Sequence, residues 1–120
     1  MLRDTLKTLL QAYGPTGNEQ NVAEAVKVLL TSHVDSMQTD AMGNLIVEKY
    51  GTDDNAKRIM FAAHMDHIGL VVTSIEDEGY LRVAGLGGIS VDRVRARHVT
   101  FGNGVQGVVY IEPVEKGTPT

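Results

Sequence analysis

Three residues near the middle of the chain could do chemistry together: His64, Asp66 and, one step on, His67, in the stretch R-I-M-F-A-A-H-M-D-H-I-G-L from Arg58 to Leu70. An imidazole with a carboxylate beside it is the usual pair in which the histidine binds a metal and the acid holds the ring's other nitrogen. Spacing alone leaves a plainer reading open. A strand-end histidine capped by a nearby acid needs no metal, and a metal site needs three or four ligands rather than one. Context bears on the choice, because Ile59 to Ala63 is an uninterrupted apolar run, expected to form a strand buried on both faces inside a parallel or mixed sheet. If that strand persists to Asp66, alternation puts His64 and Asp66 on one side and Met65 and His67 on the other. The pair would then lie at a strand's carboxyl end, where open α/β sheets bind ligands.

The elements that must position this strand are legible on both sides of it. Leu2, Leu6, Leu9, Leu10 and Tyr13 fall on one helical stripe that Gly14-Pro15 ends. Thr16-Gly17-Asn18-Glu19 fits a capping box, with Asn18 as a rival N-cap, for a second helix carrying Val22, Val26, Leu29 and Leu30. Core packing is the expected use of both stripes. Val34 to Gln38 and Leu45 to Tyr50 are short β-prone stretches around Asp40-Ala41-Met42-Gly43-Asn44, which suits a hairpin or tight connection. Asp40 is expected to fix that turn through its own hydrogen bonds rather than to bind a ligand. Past Gly69 no helical period reappears. Leu70 to Ile75, Tyr80 to Ala84, His98 to Phe101 and Val105 to Ile111 read as strands joined by Gly-rich turns, with Asn103-Gly104 a two-residue hairpin signal. A boundary near residue 70 follows, with residues 70–120 forming a small antiparallel sheet or barrel.

Composition sets limits on function. With 42% hydrophobic and 22% charged residues over 120 positions, the chain can bury a core and is not disordered. A formal charge of -4 and no concentrated basic arm or face argue against nucleic acid or an anionic membrane as partner. Arg93, Arg95 and Arg97 share one side of a candidate strand and are expected to form a solvated face or an inter-subunit salt bridge. With no cysteine, any metal must use His, Asp or Glu. Met1 opens directly on an amphipathic segment and no apolar run reaches bilayer length, so the default location is cytoplasmic. Gly85-Leu86-Gly87-Gly88 lacks the residues of a phosphate loop and is expected to be a plain turn.

Taken in order, T-D-A-M-G-N-L-I, A-A-H-M-D-H-I-G and G-Y-L-R-V-A-G-L-G-G resemble the two-metal metallo-aminopeptidases that include glutamyl and deblocking aminopeptidases, some labelled endoglucanase or cellulase. The G-P-T-G-N-E stretch also resembles the loop that opens these enzymes, though by itself it is only a helix start. The resemblance runs through essentially all of the chain and corresponds to the N-terminal part of such an enzyme. It implies an α/β fold, in which residues 1–69 are the N-terminal portion of a mixed-sheet, zinc-peptidase-like catalytic domain and residues 70–120 begin a small inserted β-barrel-like domain used in subunit association. It further implies removal of N-terminal residues from peptides with two divalent metal ions, zinc or cobalt, and a homo-oligomer. Carried over to this chain, His64 is the metal ligand and Asp66 the catalytic-site acid that holds its imidazole. Where the family has an acidic residue directly after that Asp, this chain has His67, which admits three readings: a variant supporting group, an extra weak ligand, or a surface residue pointing away. The family's remaining ligands and its general base belong to later positions than any here, so the 120 residues alone are expected to be inactive. A rival reading is a non-catalytic truncated module that self-associates through its β half, and a third is a stand-alone metal binder using His64, Asp66 and His67.

Overall fold

Helix α1 occupies Leu2–Gln11 and stops at Ala12, whose extended backbone (φ -69°, ψ 132°) turns the chain toward Gly14-Pro15. Its leucine stripe forms as a stripe but is not covered. Leu2, Leu6 and Leu10 are exposed, and only Leu9 and Thr5 are half-buried. This corrects the expectation of core packing, for a stripe encodes a demand for cover, and the helix that follows, Gln20–Leu30, meets only part of it. The computed structural model describes residues 1–53 and 55–113.

Helix α2, Gln20–Leu30, carries the buried apolar side chains Val22 and Ala23, and the small core of this region is completed by Gly14 and Pro15. The start of the helix differs from expectation. Its N-cap is Glu19, with no side-chain capping bond, and the Glu19 carboxylate instead accepts the Gly17 N–H. Thr16 lies three residues before that cap, and its hydroxyl donates instead to the carboxylate of Asp66.

Strands β1 (Ser36–Thr39) and β2 (Leu45–Glu48) pair antiparallel, Ser36 opposite Glu48 and Thr39 opposite Leu45, so the expected hairpin forms. Asp40 closes it: one carboxylate oxygen accepts the Met42 and Asn44 N–H groups at 2.9 Å each, and the other accepts the Asn44 side-chain amide at 2.9 Å. The Asn44 side chain, then its backbone N–H, hold the Asp40 carboxyl below the ordinary carboxylate range. Asp40 is therefore a turn residue.

The chain divides into two compact units, Met1–Gly69 and the residues from Leu70 onward. Strand β3 (Gly69–Ile75), which lies in the second unit but for its first residue, pairs with β4 (Leu81–Leu86), and β5 (His98–Thr100) pairs antiparallel with β6 (Gln106–Val108). Both hairpins use the turn already seen at Asp40. In all three the loop is three residues long, closed by an N–H to carbonyl bond from its first flanking residue to its last (Asp40 to Asn44, Glu76 to Tyr80, Phe101 to Val105), with glycine in the left-handed region at its end. Gly43, Gly79 and Gly104 have φ of 87°, 87° and 86°, and a side chain at any of them would meet no neighbour, so it is backbone conformation rather than space that requires glycine. For Asn103-Gly104 the result is a three-residue loop in place of the expected two. Arg82 on β4 reaches both the Glu76 carboxylate (2.5 Å) and that of Glu112 (2.6 Å), tying this hairpin to the segment after β6.

Two further expectations are corrected. Val91–Val94 is a helical turn, α3, so Arg93, Arg95 and Arg97 do not share a strand face; Arg97 Nε instead donates to the Arg93 carbonyl. The stretch from 59 to 63 pairs with no strand among the described residues, and Ile59, Met60 and Phe61 are 75%, 89% and 92% exposed rather than buried. A run apolar on both faces specifies neighbours on both faces, and the first unit's two helices and one hairpin do not provide them. The fold is thus mixed α/β with small antiparallel sheets, and its one parallel pairing among the described residues is a single bridge between Pro15 and His67.

Candidate functional site

That bridge joins the loop before α2 to the end of the 58–66 stretch. His67 N donates to the Gly14 carbonyl at 3.0 Å, and Thr16 N donates to the His67 carbonyl at 3.3 Å. The His67 ring adds a third bond, its Nε2 accepting the Gly14 N–H at 3.0 Å. An Nε2 that accepts from an amide carries no proton, so Nδ1 holds the hydrogen and donates it to the Ile68 carbonyl at 2.9 Å. Both ring nitrogens are therefore engaged, which leaves no lone pair for the extra-ligand reading of His67; the residue is exposed, as the surface reading has it, with its ring bonded to the loop rather than to His64 or Asp66. It is a latch for the loop.

Close packing seals the same junction. A side chain on Gly14 would overlap the β-branched Val22, and a Cβ on Gly69 would stand 2.7 Å from that of Pro15. The two glycines allow the loop, helix α2 and the segment after His67 to come within contact.

On this platform His64 and Asp66 meet, as their spacing of two suggested. His64 Nδ1 lies 3.0 Å from Asp66 Oδ1 and 2.9 Å from the Asp66 carbonyl. Both partners are acceptors, so Nδ1 is the protonated nitrogen and Nε2 presents its lone pair outward on a side chain that is 84% exposed. The other carboxylate oxygen of Asp66 accepts the Thr16 hydroxyl at 2.6 Å. Thr16 first, and His64 second, hold the Asp66 carboxyl below its ordinary range, against a smaller opposing cost of desolvation. A negative Asp66 between a hydroxyl and an imidazole N–H is a coherent hydrogen-bond chain.

The donor chemistry fits one ligand of a metal centre and no more. No three His, Asp or Glu side chains among the described residues converge as a metal-holding group. Sequence reading found His64 and Asp66 but missed Thr16 and the latch role of His67, since their partners lie about fifty positions away and G-P-T-G-N-E reads locally as a helix start. No helix among the described residues is long and apolar enough to cross a membrane.

The same arrangement of chain occurs in solved peptidases. An aminopeptidase from the archaeon Desulfurococcus kamchatkensis superposes with a TM-score of 0.81 at 33% identity, covering 98% of this chain and 33% of that one. A Pyrococcus horikoshii peptidase described as assembling into a tetrahedron or a large octahedral shell superposes with a TM-score of 0.77 at 36% identity, over 98% of this chain and 35% of the other. In sequence, a putative aminopeptidase of Acetivibrio thermocellus is 43% identical over 109 residues, 91% of this chain and 32% of the relative. The pattern of the M42 glutamyl aminopeptidases matches residues 43–116, and the chain belongs to that family. It spans about a third of the length of this relative and of both structures.

Proposed function

We propose that these residues form the N-terminal part of a metal-dependent aminopeptidase, with Met1–Gly69 contributing to its catalytic domain and the residues from Leu70 beginning an inserted β-barrel-like domain. The observation that carries the reading is the His64–Asp66 pair, in which Nδ1 lies 3.0 Å from the carboxylate, a contact that assigns it the proton, and Nε2 has no hydrogen-bond partner among the described residues. In this reading His64 Nε2 is one ligand of a two-ion centre of zinc or cobalt. Such ions, when bound, activate water and polarise the scissile carbonyl of a peptide's first residue. Asp66 fixes the tautomer that makes Nε2 a ligand and raises its basicity, and it does not act as the general base.

Association with further copies of the same chain is part of the proposal. Val72, Ile75, Tyr80 and Val108 are exposed on the β half, and a relative of similar fold is described as assembling into a tetrahedron or a large octahedral shell.

The test is a chimera in which this chain replaces the matching third of the Acetivibrio thermocellus relative, assayed for release of N-terminal residues with added Zn²⁺ or Co²⁺. The chimera is expected to turn over substrate, the 120-residue chain alone is not, His64→Ala should remove most activity, and Asp66→Asn should lower it about 10 to 100-fold. An active His64→Ala chimera would sink the assignment. A silent chimera that still self-associates would favour the non-catalytic module.

A further inference from the structure

The aminopeptidase reading leaves Thr16 without a role, yet its hydroxyl makes the shortest contact of the hydrogen-bond chain that ends at His64. We infer that Thr16 is a positioning residue for the candidate ligand His64, acting through Asp66. Asp66 carries two oxygens with different duties: Oδ1 faces His64 Nδ1 at 3.0 Å, and Oδ2 takes the Thr16 hydroxyl at 2.6 Å. With only the first contact, an acid whose side chain is 33% exposed would be free to turn its carboxylate toward water. The second contact removes that rotation.

Thr16 can do this because it is itself immobilised. Its own N–H is bonded to the His67 carbonyl, the preceding Pro15 is buried, and Gly14 is held at both its N–H and its carbonyl by His67. A hydroxyl donating to a carboxylate is a charge-assisted bond of the stronger kind, and here the donor arrives on a prebuilt loop rather than on a free side chain. The sequence Thr16 to Asp66 to His64 therefore acts with the Asp66 backbone carbonyl, 2.9 Å from the same Nδ1, to keep the proton on that nitrogen, and Thr16 secures the carboxylate's share of that preference. An exposed histidine released from such a partner favours the proton on Nε2, the nitrogen that would have to be bare to bind a metal.

This inference rests on the aminopeptidase reading only for its purpose, and its central measurement needs no metal. Nitrogen-15 spectra of the His64 ring in the 120-residue protein report the tautomer directly. Wild type is expected to show the Nδ1–H form, Thr16→Val a shift toward Nε2–H, and Thr16→Ser, which keeps the hydroxyl, the wild-type form. Backbone amide shifts of the Ser36–Glu48 hairpin serve as the fold control, and rescue by serine separates loss of the hydroxyl from loss of the loop. In parallel, Co²⁺ titration followed by its visible spectrum should show about 10-fold weaker binding in Thr16→Val and wild-type binding in Thr16→Ser. If Thr16→Val leaves the His64 tautomer unchanged in a folded protein, the positioning role is wrong, whatever becomes of the enzyme. If instead His64→Ala leaves Co²⁺ binding unchanged, His64 is not the ligand and its part in the proposed metal centre fails, while the tautomer experiment still stands or falls alone.

Discussion

Residues 58–63 and 64–69 adjoin in sequence and behave oppositely in the fold. The first stretch is the more hydrophobic, yet Ile59, Met60 and Phe61 face solvent and pair with nothing among the described residues. The second is polar and glycine-containing, yet His64, Asp66, His67 and Gly69 are all engaged, with the loop at Gly14 to Thr16 or with one another. Hydrophobicity states how much cover a segment requires without naming what covers it. Directional groups name their partners more narrowly, since an amide, a hydroxyl and an imidazole must meet at set distances and angles.

Substitutions in the two stretches and at the loop that meets them test this, with stability followed by urea denaturation. Gly14→Ala should have the largest effect, a loss of about 2 kcal/mol, because the new methyl collides with a stiff β-branched neighbour in the small buried core. His67→Ala comes next, at about 1 kcal/mol, since it strands the N–H of buried Gly14 without an acceptor. Faster hydrogen exchange at the Gly14 amide should accompany it, and an unchanged exchange rate would refute the latch. Smallest is Phe61→Ser, expected within about 0.5 kcal/mol of wild type despite removing a large aromatic. A loss above that range would mean the 58–63 stretch is covered after all.

How much of this was readable in advance follows the same division. The three glycine-ended turns were legible as turns, though not the three-residue length at Asn103-Gly104, because the turn and its cause lie within five consecutive residues, as at Asp40 to Asn44. Helices α1 and α2 were legible as periodicities, though the exposure of Leu2, Leu6 and Leu10 was not. His64 with Asp66 could be found because alternation along an extended chain brings i and i+2 together. Arg93 to Arg97 misled, for a spacing of two fits a strand, but one helical turn intervenes at Val91–Val94. Thr16 could not be assigned at all: a hydroxyl before a helix has a default local use as a cap, and nothing nearby reveals a carboxylate fifty positions on.

The parallel bridge between Pro15 and His67 also has a bearing on when the site exists. Its ring-to-amide bond joins residues 53 apart, whereas each hairpin closes over a handful. Hairpins of that kind form in about 1–10 μs, whereas closing the longer loop costs about 0.6 kcal/mol more for each doubling of its length before its first contact is rewarded. The junction of Gly14 with His67 is therefore expected to be late to assemble and early to open, and Thr16 can reach Asp66 only while it is shut. Any ligand that His64 binds best in the shut form draws the opening equilibrium back by mass action, so occupancy of the site and closure of the chain around it become one event.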